Sequence, residues 1–173
     1  MKKENGITLL ELLITLAVAS LLLSAGVPGF RNVILDNRLA SEANEFVTAV
    51  NLARSSAVRY QRNATVCASS NFDATVPTCA AGTDWSSGWI VWVDKDRDAA
   101  TDANEIVVVN GPLAGSTTFS STAASAFTYD ALGFGVTAGD ALTMCDSRSG
   151  ETGRVISVNN VGRTSVARQV CSG

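Results

Sequence analysis

Five acidic side chains in the middle of the chain are spaced like the oxygen ligands of a calcium loop. Counted from the first aspartate, they occupy positions one, three, five, nine and twelve, as in an EF-hand, and position seven, Ala100, would add its carbonyl. Position six, a glycine in the EF-hand, is Ala99, and no flanking helices are expected. A solvated acidic turn between two strands is the alternative to calcium. The five residues are Asp94, Asp96, Asp98, Asp102 and Glu105.

Three arginines near the C-terminus, Arg154, Arg163 and Arg168, offer a second kind of chemistry. Clustered and exposed cations bind phosphate groups, so these residues are candidates for DNA binding. Strict strand alternation places Arg163 and Arg168 on opposite faces of one strand, and the three are therefore not expected to share a surface. Solvated or salt-bridged arginines are the alternative.

Glu11 is the single formal charge in an apolar run, residues 7–30. A helix of this length crosses a hydrocarbon core of roughly 30 Å, where a carboxylate is costly and is usually paired. A cut after Gly6 would leave an ammonium on Ile7 that can meet Glu11 of a neighbouring subunit. A signal anchor that tolerates one acid is the alternative. The run otherwise offers only the hydroxyls of Thr8, Thr15, Ser20 and Ser24.

The short polar head, residues 1–6, precedes this run and carries Lys2 and Lys3. A secretory signal ends its apolar core in a small-residue cleavage site, whereas here the head itself ends in Gly6 and the apolar run continues. We therefore expect the head to be removed and the span to stay. The lysines favour a cytoplasmic N-terminus, which places everything after Phe30 outside the membrane.

Net charge and residue content exclude some classes of function. The net charge of −3 does not suggest a nucleic-acid binder overall, and without histidine, a nucleophile elbow, a P-loop or a zinc signature no enzyme is expected.

Four cysteines outside the membrane predict two disulfides, for which three connectivities exist. Local loops favour Cys67 with Cys79 and Cys145 with Cys171; a thiolate metal site is the alternative, although C-x-x-C spacing is lacking.

The elements that position these groups follow from periodicity. Residues 31–62 predict the amphipathic half of a long spine helix that ends near Tyr60, either kinked near residues 26–29 or divided into two helices by Pro28 and Gly29. Apolar residues recur there at alternating steps of four and three, which makes one stripe suited to hold a sheet. The stripe is Leu39, Ala43, Phe46, Val50, Ala53 and Ala57.

The rest of the chain, residues 63–173, predicts a β-rich globular domain. A long helix followed by a run of strands is an α+β pattern with a mainly antiparallel sheet packed on the helix. Trp85, Trp89 and Trp92 are expected to pack in its core rather than to stack bases. The predicted strands are 64–68, 88–93, 105–110, 116–121, 126–129, 141–145, 154–158 and 163–170.

The N-terminus, KKENG followed by ITLLELL, resembles that of type IV pilins and type II secretion pseudopilins. A glycine precedes the cut, Glu11 is the fifth mature residue and Pro28 the twenty-second. The resemblance implies a pilin-like fold, cleavage after Gly6 and N-methylation of Ile7 by a prepilin peptidase, and an assembly role for Glu11 and Pro28. Members commonly have phenylalanine where this chain has Ile7, which favours a minor subunit.

The segments GWIVWVDKDRDAATDANE and GRVISVNNVGR resemble the GspH/FimT group of minor pilins and pseudopilins. This implies an inner-membrane protein with a periplasmic domain. During assembly, an inner-membrane platform moves the protein from the lipid into a fibre. There it joins other minor subunits and the major subunit, at or near the tip. The C-terminal GRVISVNNVGRTSVAR resembles the arginine-bearing tail of DNA-uptake minor pilins, although a Gly-Arg-x-Arg motif would need arginine at Ser165. DNA capture is the alternative function, and pilus or secretion system stays open.

Overall fold

The computed structural model describes residues 8–172, without the side chains of 25–28 and 151. In this range a long helix precedes eight strands, as expected for an α+β fold. The elements are α1 (Leu9–Tyr60), β1 (Ala64–Ala68), β2 (Trp89–Val93), β3 (Ile106–Asn110), β4 (Thr118–Ser121), β5 (Ala126–Tyr129), β6 (Asp140–Cys145), β7 (Gly150–Val158) and β8 (Thr164–Cys171).

The chain divides into two compact units, Met1–Asn37 and Arg38–Gly173. In the described part of the first unit, the large apolar side chains from Leu9 to Ile34 are exposed. By length and composition this part of α1 can cross a membrane. Pro28 lies within α1, so the alternative of two separate helices is wrong.

The second unit packs the other half of α1 against two antiparallel sheets. The first has the strand order β3-β2-β1-β5 and the second the order β4-β6-β7-β8. All six residues of the predicted apolar stripe are at most 2% exposed, which confirms the stripe. The three tryptophans are buried as well, in agreement with the expectation that they pack in the core. The helix therefore supplies one side of a hydrophobic core that both sheets complete.

Two disulfides tie strands of this unit to neighbouring chain. Cys67 of β1 bonds Cys79 in the following loop, with 5.5 Å between their Cα atoms. Cys145 at the end of β6 bonds Cys171 at the end of β8, with 5.8 Å between their Cα atoms. These are the pairings that the local loops favoured, and the second one fastens the edge strand β8 across its neighbour β7.

Candidate functional site

The N-terminal end of α1 is built around Thr8 and Glu11. The Glu11 N–H donates a hydrogen bond to Thr8 Oγ1 at 3.3 Å, an N-cap contact that satisfies a donor the helix leaves free. A carboxylate in the first turn also interacts favourably with the helix dipole. Within the part of the chain that the structure describes, the Glu11 carboxylate itself has no hydrogen-bond or ion-pair partner.

The hydroxyls of the apolar run bond within their own helix. Thr15, Ser20 and Ser24 each donate to the carbonyl three residues earlier, at 2.8 Å. Such bonding makes a hydroxyl compatible with lipid, because no donor is left without an acceptor. Glu11 therefore differs from every other polar side chain between residues 9 and 24.

The predicted cleavage site and the charged head before it lie outside the described residues. These are Gly6 and Ile7, the two sides of the predicted cut, together with Lys2 and Lys3. Of Pro28, only the place of its backbone in α1 is described. The pairing of an Ile7 ammonium with Glu11 stays a prediction.

The acidic loop, residues 94–105, connects β2 to β3. Oxygens of Asp94, Asp96 and Asp98 lie within 4.8 Å of one another. Each aspartate accepts a hydrogen bond from a backbone N–H two or three residues later, so a series of tight turns brings the carboxylates together. Ala99 at position six has φ 62°, the left-handed conformation that the EF-hand normally assigns to glycine.

Glu105 is the last residue of this loop, and its side chain is buried. It is 1% exposed, and its Oε1 accepts hydrogen bonds from the N–H groups of Lys95 and Asp96. Its Oε2 is buried and has no hydrogen-bond partner among the described residues. Asp102 is exposed and does not belong to the three-aspartate cluster. The structure thus brings three of the five predicted ligands together, and Glu105 bonds to N–H groups of the same loop.

The basic C-terminal strands bring two of the three predicted arginines together. Arg154 of β7 and Arg168 of β8 stand directly opposite each other in the antiparallel register. Arg163 was predicted to begin a strand, but it ends the turn before β8, where its N–H donates to Asn159 Oδ1 at 2.8 Å. Strand alternation within β8 alone could not reveal the cross-strand pair, because that pair depends on the register with β7.

Asp146, in the turn before β7, is already paired with another arginine. Arg148 forms an ion pair with Asp146 at 2.7 Å, and although burial by itself raises the pKa of Asp146, the Arg148 contacts hold that pKa below its ordinary value. Arg154 is half-buried and its Nη1 donates to the carbonyls of Thr152 and Gly153, at 3.2 and 2.9 Å. Arg168 is exposed, so its guanidinium is open to an anionic partner.

An exposed apolar turn was missed by the sequence interpretation. Leu132, Phe134 and Val136 are 75%, 54% and 61% exposed, in the turn after β5. Neighbouring exposed apolar side chains are typical of protein–protein contact surfaces. The available signal was the apolar alternation of the segment ALGFGV, residues 131–136.

Two protein-family models match this chain, one in each of its two units. A family model described as type II transport protein GspH matches residues 42–162, and one described as prokaryotic N-terminal methylation motif matches residues 1–27. No curated protein matches the chain.

Two crystal structures of the type IV minor pilin FimU from Pseudomonas aeruginosa strain PAO1, in space groups P21 and P65, have a similar fold, with TM-scores of 0.57 and 0.55. Both are 22% identical to this chain. The matches cover 76% and 75% of this chain and 89% and 92% of the FimU chains. At this identity the likeness is one of fold.

Proposed function

The chain belongs to the GspH family of type II transport proteins, and from this premise we propose that it is a minor subunit at or near the tip of a fibre. The fibre is a type IV pilus or a type II secretion pseudopilus, and the subunit helps to initiate its assembly with other minor subunits and the major subunit. The similar fold of a type IV minor pilin supports this role. The exposed apolar turn around Phe134 offers a surface for such contacts.

Before assembly, we propose, the protein is a precursor in the inner membrane with its second unit in the periplasm. Prepilin peptidase removes residues 1–6 and methylates the new N-terminal amine of Ile7. Support comes from the methylation motif, which matches residues 1–27, and from Gly6 at the junction between polar head and apolar run. Intact-mass measurement of protein from the producing cell tests this: a chain that still begins at Met1 would contradict it.

The observation that carries the proposal is the Glu11 carboxylate, which has no partner among the described residues and is the single formal charge in the exposed apolar run. Such a segment is equally stable in lipid or among neighbouring apolar helices, so polymerisation can exchange one surrounding for the other without exposure to water. A carboxylate in that setting is strongly stabilised by an opposite charge. The Ile7 ammonium of the adjacent subunit supplies this charge and sets the register between subunits.

The test replaces Glu11 while leaving the span apolar. Glu11→Val is expected to insert and to be cleaved like the wild type, but to be incorporated into fibres poorly, as measured by immunoblotting of sheared fibres against the membrane fraction. Thr15→Val is the matched control, because it also removes one polar group from the span, yet that hydroxyl bonds its own helix. Incorporation of Glu11→Val at the wild-type level would contradict the assembly role.

DNA capture during uptake is a second candidate function, favoured by one observation. Like charges directly opposite each other on two strands repel, and Arg154 and Arg168 stand in that relation. A phosphate backbone would relieve this repulsion. Gel retardation of double-stranded DNA by the detergent-solubilised full-length chain, over a range of salt concentrations, tests it. Retardation that falls with salt and is lost in Arg168→Gln supports capture, and wild-type retardation in that variant argues against it.

A further inference from the structure

We propose that the acidic loop, residues 94–105, binds one calcium ion. Its three clustered aspartates, Asp94, Asp96 and Asp98, place carboxylate oxygens within 4.8 Å of one another. Hard divalent cations prefer such oxygen ligands, and calcium accepts six to eight of them in flexible geometry. The cluster alone could also be a solvated turn, because exposed aspartates are common in turns. A second, independent feature points to a cation.

That second feature is the buried carboxylate of Glu105. It is 1% exposed, and its Oε1 accepts hydrogen bonds from the Lys95 and Asp96 N–H groups, which lie between the clustered aspartates in the chain. Its Oε2 is buried and unpartnered among the described residues. A buried carboxylate with an unsatisfied oxygen is strongly unfavourable unless a cation or donors compensate it. A calcium ion at the aspartate cluster supplies that compensation.

The basic side chains of the loop do not provide this compensating positive charge. Lys95 Nζ donates to the Asn104 carbonyl and lies 5.3 Å from the centre of the Tyr60 ring. Arg97 is exposed, and the structure shows no ion pair between it and the clustered aspartates within the described residues. Among the described residues, no basic side chain forms an ion pair with the three clustered aspartates or with Glu105. Magnesium fits this set less well, because it demands octahedral geometry and retains several waters.

The loop position suggests what the ion does for the fold. Asp94 donates its N–H to the Asn63 carbonyl at 2.9 Å, directly after α1, while Glu105 precedes the edge strand β3. A cation bound to both residues would join the β2–β3 connection to the segment after the spine helix. Calcium is then expected to raise the thermal stability of the second unit.

The experiment uses the detergent-solubilised full-length chain, stripped with chelator. Calorimetric titration with calcium chloride is expected to show one site, with a dissociation constant on the order of 10⁻⁴ to 10⁻³ M, as in extracellular calcium modules. Asp96→Asn and Glu105→Gln are expected to weaken binding roughly tenfold or more, because each removes a charged ligand. Asp96 is exposed, so its variant tests the proposal even if Glu105→Gln folds poorly.

The matched control is Glu42→Gln. Glu42 is also buried, with one oxygen bonded to the Ala114 N–H and the other unpartnered, but it lies on α1 and not in the acidic loop. Glu42→Gln should keep wild-type calcium affinity. Without calcium, Glu105→Gln should melt at or above the wild-type temperature, because it removes an uncompensated buried charge. With saturating calcium it should melt below the wild type, because it has lost a ligand for the ion.

Three results would overturn the proposal. The first is that calcium up to about 10 mM produces neither a saturable heat of binding nor a rise in the melting temperature. The second is calcium affinity in Asp96→Asn and Glu105→Gln equal to the wild type. Binding of magnesium chloride as tight as that of calcium would overturn the assignment of the ion.

Discussion

The ring of Phe46 meets the ring of Phe119 edge-on, with 4.9 Å between their centroids and an interplanar angle of 80°. Phe46 also contacts Trp89 at 5.5 Å and Trp85 at 5.3 Å in the same edge-on manner. Phe119 belongs to β4 in the second sheet and Trp89 to β2 in the first. One helix residue therefore connects both sheets, in the geometry that aromatic pairs prefer.

Phe46→Ala is expected to destabilise the second unit by about 3 to 5 kcal/mol, because it empties the centre of this aromatic cluster and leaves a cavity. Urea denaturation of the detergent-solubilised chain, followed by tryptophan fluorescence, measures the change. Phe134→Ala is the control, since that ring is 54% exposed and should cost less than about 1 kcal/mol. Equal losses in both variants would show that Phe46 does not hold the core.

Positions governed by local periodicity were predictable from the sequence. The stripe from Leu39 to Ala57 is buried because a period near 3.6 keeps its members on one helix face. All eight predicted strands form, since β-branched and aromatic runs between turn residues have no competing helical pattern. Their ends differ by a few residues: β7 extends back to Gly150, where the chain pairs with disulfide-bonded Cys171.

Properties that depend on register or on long-range burial were not predictable. Glu105 was expected in a strand, but its carboxylate turns inward to bind loop N–H groups, and the strand begins at Ile106. The opposition of Arg154 and Arg168 depends on the turn that ends at Arg163, because the register is continuous from that turn to the pair. Neither follows from the alternation of a single strand.

The two disulfides are expected to differ in their local effect. In the chain-entropy model, loops of 12 and 26 residues give about 2.8 and 3.5 kcal/mol of stability, for Cys67–Cys79 and Cys145–Cys171 respectively. Replacing both cysteines of a pair by alanine tests this by urea denaturation, and each double variant is the control for the other. Only loss of Cys145–Cys171 should speed amide exchange in β8, because that bond fastens an edge strand. Unchanged exchange in β8 would contradict this.

Stability at high pH should depend on Tyr129. Its hydroxyl donates to the Gly162 carbonyl at 3.0 Å, and burial raises the pKa of Tyr129 from 10.0 to about 12, with Arg54 acting in the opposite direction. Below pH 10 the phenol is neutral in both states. Between pH 10 and 12 only the unfolded chain loses the proton, so stability on the order of 2 kcal/mol is lost as the pH rises through this window.

Urea denaturation between pH 9 and pH 12 measures this loss. Tyr129→Phe should show a flatter profile across the window, although it starts from lower stability because the buried hydrogen bond to Gly162 is gone. Tyr60→Phe is the control, since Tyr60 is 41% exposed and its removal should leave the profile as in the wild type. A profile for Tyr129→Phe as steep as that of the wild type would mean that another group is responsible.

The cross-strand arginine pair predicts a substitution that stabilises the fold. Arg168→Glu replaces repulsion across β7 and β8 by attraction to Arg154, which should add about 0.2 to 1 kcal/mol at low salt and less at high salt. Arg163→Glu makes the same change of charge in the turn, outside the ladder, and should add less. Urea denaturation at low and high salt compares them. An equal effect in both variants would show that net charge, and not the register of Arg154 with Arg168, determines the gain.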